Sequence, residues 1–151
     1  MLRRLLRQWE SPPTWLLLML ALVTVQARLL PLLPPPAALR LAGLGLIMLG
    51  LGLIALAALQ FRRHATTILP REAPLRLIET GLYRLSRNPI YLGDALILAG
   101  FALRADLAAL LWLPIFVAIL TRRFIRGEEA VLRATFGADF DRYVRHVRRW
   151  L

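Results

Sequence analysis

TGLYRLSRNPIYLGD, Thr80 to Asp94, is where a basic, loop-like segment turns into an apolar helix. Asn88-Pro89 reads as the helix start, with Asn88 as N-cap and Pro89 at the first helical position, where a missing backbone N–H costs nothing. Leu92, Leu96, Ile97 and Leu98 then carry the helix into something oily. A helix N-terminus facing a cationic loop suits an anionic group, because unpaired N–H groups and the helix dipole act together. The same residues also read as a capped helix whose basic flanks mark a membrane surface. The spacing of Tyr83, Arg84, Arg87, Asn88, Pro89, Tyr91 and Gly93 keeps a binding site in view beside that reading.

Outward from this stretch the chain is mostly apolar. Of 151 residues 58% are hydrophobic, and the formal net charge is +11. A soluble domain of this size does not need so much apolar sequence, and four separate apolar stretches point to an integral membrane protein. The expected fold class is all-α, with about four transmembrane helices at 15–33, 37–61, 89–103 and 107–121 in one domain covering 1–151. The last two are short for a full crossing and form a hairpin around Arg104-Ala105-Asp106. A cytoplasmic loop, 62–88, and a cytoplasmic helical tail, 122–151, complete the chain. The first span follows Arg3, Arg4 and Arg7, as in a signal peptide, but no small-residue cleavage site follows Val25, so the span is expected to be retained. Pro12-Pro13 closes the basic N-terminal arm, and Pro31 with Pro34-Pro35-Pro36 forces a turn after the span. Gly43, Gly45, Gly50 and Gly52 give the second span two glycine pairs a heptad apart, a smooth strip for an intramolecular or intermolecular helix contact. Oligomeric state stays open.

The charge distribution then orients the chain. Arm, middle loop and tail hold nearly all the arginines, and the two opposite turns hold only Arg28, Arg40 and Arg104. The positive-inside rule places both termini in the cytoplasm, in what reads as a bacterial inner membrane. Nucleic acid is not an expected partner, since no compact soluble basic module is left to bind it. The chain has no cysteine, which excludes disulfides, thiolate metal sites and a cysteine nucleophile.

Loop and tail thus share one face of the membrane, and a site can form between them. In the tail, Phe124, Ile125, Glu128, Val131, Leu132 and Thr135 fall on one helical face, which points Glu128 inward. Glu129 is expected to pair outward with Arg133 at i+4. Gly137 breaks this helix. Asp139 then caps a second one, with Phe140, Tyr143, Val144, Val147 and Leu151 on an apolar face and Arg142, Arg145 and Arg149 on a basic one, an interfacial amphipathic pattern. Asp94, one turn inside the third span, is a functional candidate or the partner of an interfacial arginine. His64 and His146 are isolated, and neither has metal-ligand spacing nor a neighbouring nucleophile, so no metal site is expected.

HATTILP (His64 to Pro70), GLYRLSRNPIYLG (Gly81 to Gly93), Glu128-Glu129 and the ending FGADFDRY…VRRWL together resemble the isoprenylcysteine carboxyl methyltransferase family, which is similar to the membrane phospholipid N-methyltransferases. The resemblance covers about Phe61 to Leu151. It implies an S-adenosylmethionine-dependent methyltransferase whose acceptor is a lipid or another lipophilic molecule drawn from the bilayer. Residue by residue, it implies that Tyr83, Arg87, Asn88, Pro89, Tyr91, Glu128, Glu129 and Tyr143 bind the cofactor, and that Arg87, Glu128 and Arg148 serve catalysis. Asn88 stands where relatives often carry His, which removes a proton role there but not a hydrogen-bonding one. Methyl transfer from a sulfonium needs alignment and exclusion of water more than an acid–base couple. Two rivals remain: a phospholipid amine N-methyltransferase, and a non-catalytic membrane scaffold or transporter subunit.

Overall fold

A computed structural model of the protein describes residues 11–63 and 76–151. Most of the N-terminal arm and the HATTILP stretch lie outside the described residues. Within them the regular structure is entirely helical. Helix α1 spans Pro12–Leu29, α2 Ala37–Arg63, α3 Pro89–Ala105, α4 Trp112–Leu120, α5 Arg126–Phe136 and α6 Ala138–His146.

Helix α1 starts earlier and stops sooner than its apolar run predicts. Ser11 is the N-cap, its Oγ lies 2.8 Å from Thr14 Oγ1, and Pro12-Pro13 fill the first helical positions. The two prolines therefore open the helix instead of closing the arm. The helix ends at Leu29 because Leu30 precedes Pro31, and the residue before a proline is driven out of the α region. The fourth span differs more. It opens with a tight 3-10 turn, Leu107–Leu111, continues as α4, passes through a π-helical turn at Thr121–Ile125 and runs on as α5. What the sequence divides into a span and a separate tail is one helical rod, Leu107–Phe136. Three helices, Pro12–Leu29, Ala37–Arg62 and Leu107–Phe136, are long and apolar enough to cross a membrane. At 17 residues α3 is shorter, about 26 Å by its helical rise.

Helix α3 is the centre of the bundle. Its glycines meet those of α2 in two reciprocal pairs, so the helices run antiparallel with backbones in contact. A Cβ on Gly43 would lie 2.5 Å from the Gly100 carbonyl oxygen, and one on Gly50 would lie 2.5 Å from that of Gly93. Gly45 and Gly52 face open space, so the expected strip narrows to one glycine of each pair. On the other side of α3, Tyr91, Leu98 and Ala102 pack against Met19 and Val23 of α1 and Phe116 and Leu120 of α4. Trp112 Nε1 donates to Gln26 Oε1 at 2.5 Å, tying α4 to α1.

The turn after α3 is held by Asp106, whose side chain is fully buried. Its Oδ2 accepts the N–H groups of Leu32 and Leu33 at 2.7 and 3.0 Å, and its Oδ1 accepts that of Ala108 at 2.8 Å. Burial alone would raise the Asp106 pKa, but these three N–H donors outweigh it and hold the carboxyl below its usual 3.8. A depressed folded-state pKa contributes stability above the unfolded value, and that contribution is lost as pH falls through the folded one. Asp106→Asn is therefore expected to melt below wild type at pH 7, with the gap narrowing under about pH 4. Thermal unfolding in detergent micelles at both pH values checks this, and a gap of constant size would show that shape, not charge, holds the turn.

Candidate active site

A cavity of about 690 Å³ lies where the start of α3, the start of α1 and helix α5 converge. Tyr83, Arg87, Asn88, Glu128, Glu129 and Tyr143 line its polar part. Leu16, Leu51, Ile54 and Ile97 line its apolar part. Ile97 is nine residues beyond Asn88, about 13 Å along the helix axis, so the cavity reaches well into the apolar layer.

The polar part is assembled by the last residues of the chain. Past His146 the backbone is extended, with Val147 at φ −122°, and it lies against the segment before α3. Arg87 N–H donates to the Arg148 carbonyl at 3.0 Å, while Ser86 Oγ and Asn88 Nδ2 both donate to the Arg149 carbonyl, at 3.2 and 3.0 Å. Ser86 Oγ also accepts the Asn88 N–H at 3.1 Å. Asn88 does hold the N-cap position and Pro89 the first helical one, but the Asn88 side chain makes no capping bond and reaches the tail instead. Behind it, Tyr143 Oη donates to the Tyr83 carbonyl at 2.6 Å.

Both glutamates turn inward. Tyr91 Oη donates to Glu128 Oε1 at 2.6 Å. Glu129 does not pair outward with Arg133: it is 8% exposed and sits between two guanidinium groups. Arg87 Nη1 lies 3.1 Å from Glu129 Oε1, and Arg149 binds the same carboxylate in a two-point fork at 2.9 and 2.6 Å. Glu129 lies one helical turn beyond buried Ile125, and the two guanidinium groups that draw it inward come from residues 87 and 149, which an i+4 rule within one helix does not register. Arg133 meets Asp141 at 2.9 Å instead.

The tail is corrected in the same way. Phe140, Tyr143 and Val147 pack on Ile78 and Tyr83, so α6 presents its apolar face to the protein and not to the bilayer. Leu151 is 70% exposed and leaves that face. Gly137, at φ +50°, is the N-cap residue of α6, and Asp139 lies inside its first turn paired with Arg142 at 3.1 Å. Arg149 leaves the expected basic face for Glu129. Arg148, named by the sequence, is exposed and contributes only its carbonyl. Ser86 is not singled out by the sequence, and Arg149 is expected on a basic face and not in the site. A serine two residues before an N-cap is a recognisable turn signal, whereas nothing local announces that the helix stops before Arg149.

Electrostatically, burial lowers the Arg87 pKa from its usual range while Glu129 pulls the other way. Burial raises the Tyr83 and Tyr143 phenols well above their ordinary value, so both remain neutral hydrogen-bonding groups. Arg87 Nε is buried without a hydrogen-bond partner among the described residues. Such an N–H in a cavity wall is a donor left for an anionic or carbonyl oxygen.

The profile of the phospholipid methyltransferase family matches residues 39–139, about two thirds of the chain. The chain belongs to that family. Family membership makes it a membrane methyltransferase by kinship, and the isoprenylcysteine carboxyl methyltransferases are close relatives of the same family. The matched residues include all but the first two residues of α2, all of α3 and the rod with both glutamates, while the Arg148–Arg149 segment falls beyond them. No curated protein and no solved structure matches the chain.

Proposed function

We propose that the protein transfers a methyl group from S-adenosylmethionine to an acceptor that partitions into the membrane. The observation that carries this reading is a single cavity with ionic and phenolic groups in one part and bilayer-depth leucines and isoleucines in the other. The residues present fit the cofactor. The unpartnered Arg87 Nε suits the carboxylate of its methionine part, and Glu128 suits its amine or ribose hydroxyls. When bound, the cofactor supplies a methyl group already activated by positive sulfur. The chain's part is to hold Arg87 in place through Glu129, to orient Glu128 through Tyr91, and to keep water out with the closing tail. In this reading Tyr83, Asn88, Pro89 and Tyr143 shape the pocket, and Arg149 fills the role that the resemblance implies for Arg148.

The family's description favours a phospholipid amine as acceptor at least as well as a prenylated carboxylate. The arginine distribution supports both termini on the cytoplasmic side, with the polar part of the cavity facing the cofactor supply. Calorimetric titration of S-adenosylmethionine into the protein in nanodiscs tests the reading. Wild type is expected to bind in the micromolar range. Tyr91→Phe and Glu128→Ala are expected to weaken binding about tenfold, the scale of one charge-assisted hydrogen bond. Absence of binding to folded wild-type protein would favour the scaffold reading instead.

A further inference from the structure

Asp94 is the one charged residue of α3 that faces the bundle interior. It is 5% exposed, lies one turn beyond Tyr91 on the same helical face, and lines the cavity together with Leu16, Leu51, Ile54 and Ile97. Among the described residues it makes no hydrogen bond or ion pair. A structural carboxylate in such surroundings is normally paired, because desolvating it alone is costly. The glutamates next to it are accounted for: Glu129 by two arginines, Glu128 by Tyr91. Asp94 is thus a second acidic position, set deeper than the glutamates and aimed at the region a membrane-borne acceptor would occupy.

We infer that Asp94 is the acceptor-selecting residue, pairing with a cationic amine head and taking its proton before methylation. This deepens the proposed function and rests on it. The chemistry requires such a group. A protonated amine has no lone pair, so one proton passes from the ammonium to the Asp94 carboxylate, leaving a neutral amine and a carboxylic acid. The nitrogen lone pair then forms the new N–C bond to the methyl carbon as the C–S bond breaks, with its electron pair left on sulfur. Sulfur ends as a neutral thioether and nitrogen as a methylated ammonium, and the proton on Asp94 is released to water when product leaves. A carboxylate acceptor would be repelled at the same place, so the residue discriminates in both directions.

The test compares dodecylamine with dodecanol, equal in chain length and different in charge, by titration into the protein in phosphatidylcholine nanodiscs. Wild type is expected to prefer the amine by on the order of thirtyfold, the scale of a desolvated charge pair. Asp94→Asn is expected to lose the preference while keeping the alcohol affinity, and Asp94→Glu to restore part of it. With labelled S-adenosylmethionine, methylated dodecylamine should form with wild type and the Glu variant. Equal binding of amine and alcohol to wild type, or an unchanged preference in Asp94→Asn, would overturn the assignment. S-adenosylmethionine titrated into the same samples separates the two ideas. Cofactor binding without amine preference overturns the role of Asp94 alone, whereas absence of cofactor binding overturns the methyltransferase reading beneath it.

Discussion

Glu129→Ala is expected to destabilise the protein by about 3 kcal/mol, while Glu128→Ala, one residue away, costs about 1 kcal/mol. The difference follows from their partners. Removing the Glu129 carboxylate leaves the Arg87 and Arg149 guanidinium groups side by side, with side chains 10% and 34% exposed. Breaking a buried ion pair by deleting one partner costs 3–5 kcal/mol in general. The partial exposure of Arg149 places this case at the low end, because solvent can take up part of its charge. The damage also spreads, since Arg149 belongs to the extended segment whose carbonyls receive Ser86 and Asn88. Glu128 accepts from the Tyr91 hydroxyl, and on the proposed function its loss is expected to be felt more in S-adenosylmethionine affinity than in folding. Thermal unfolding in detergent micelles, run with and without S-adenosylmethionine, checks both variants. Equal melting temperatures for the two would mean that Glu129 does not hold the tail.

Gly50→Leu is expected to cost 3 kcal/mol or more, roughly, and Gly52→Leu close to nothing. Two residues apart on α2, they face opposite directions. A Cβ at Gly50 would stand 2.5 Å from the Gly93 carbonyl oxygen and 2.8 Å from Ile97 Cγ1, and backbone cannot step aside as a flexible side chain can. The helices would have to separate along their most extensive contact, and α3 would carry Tyr91 and Asp94 away from the cavity as it moved. A Cβ at Gly52 meets nothing within 4 Å, and leucine is a better helix former than glycine. Melting temperatures of the two variants in one detergent decide the matter. A Gly52→Leu variant as unstable as Gly50→Leu would place the contact on the wrong face of α2.

The parts of this molecule legible in the sequence were those written in local patterns. Apolar length gave α2, Asn88-Pro89 gave the start of α3, and Gly137 gave the break before α6, each because a backbone preference acts within a few residues. The cavity-lining set Tyr83, Arg87, Asn88, Tyr91, Glu128, Glu129 and Tyr143 was also named in advance, through the family resemblance. What could not be read was partnership and where a helix stops. Glu129 had a ready i+4 partner in Arg133, but the fold brings Arg87 and Arg149 to it from distant parts of the chain. The chain's last residues leave helical geometry after His146, so extrapolating a periodic face to Arg149 and Leu151 failed. The Asn88 side chain had a local partner in the sequence reading and a distant one, 61 positions away, in the fold. Choices between near and far partners are made by packing, and a single sequence does not display packing.

The rod from Leu107 to Phe136 has a mechanical consequence. The rod is long and apolar enough to cross a membrane, and Glu128 and Glu129 ride on its second half. Those carboxylates grip Arg87, just before the shorter helix α3, and Tyr91, in its first turn. Hydrocarbon thickness sets how far a long helix leans, and a short one cannot lean to match it. The four side chains therefore tie the long rod to the chain around the start of the shorter helix, so that a change in the lean of one is passed to the other.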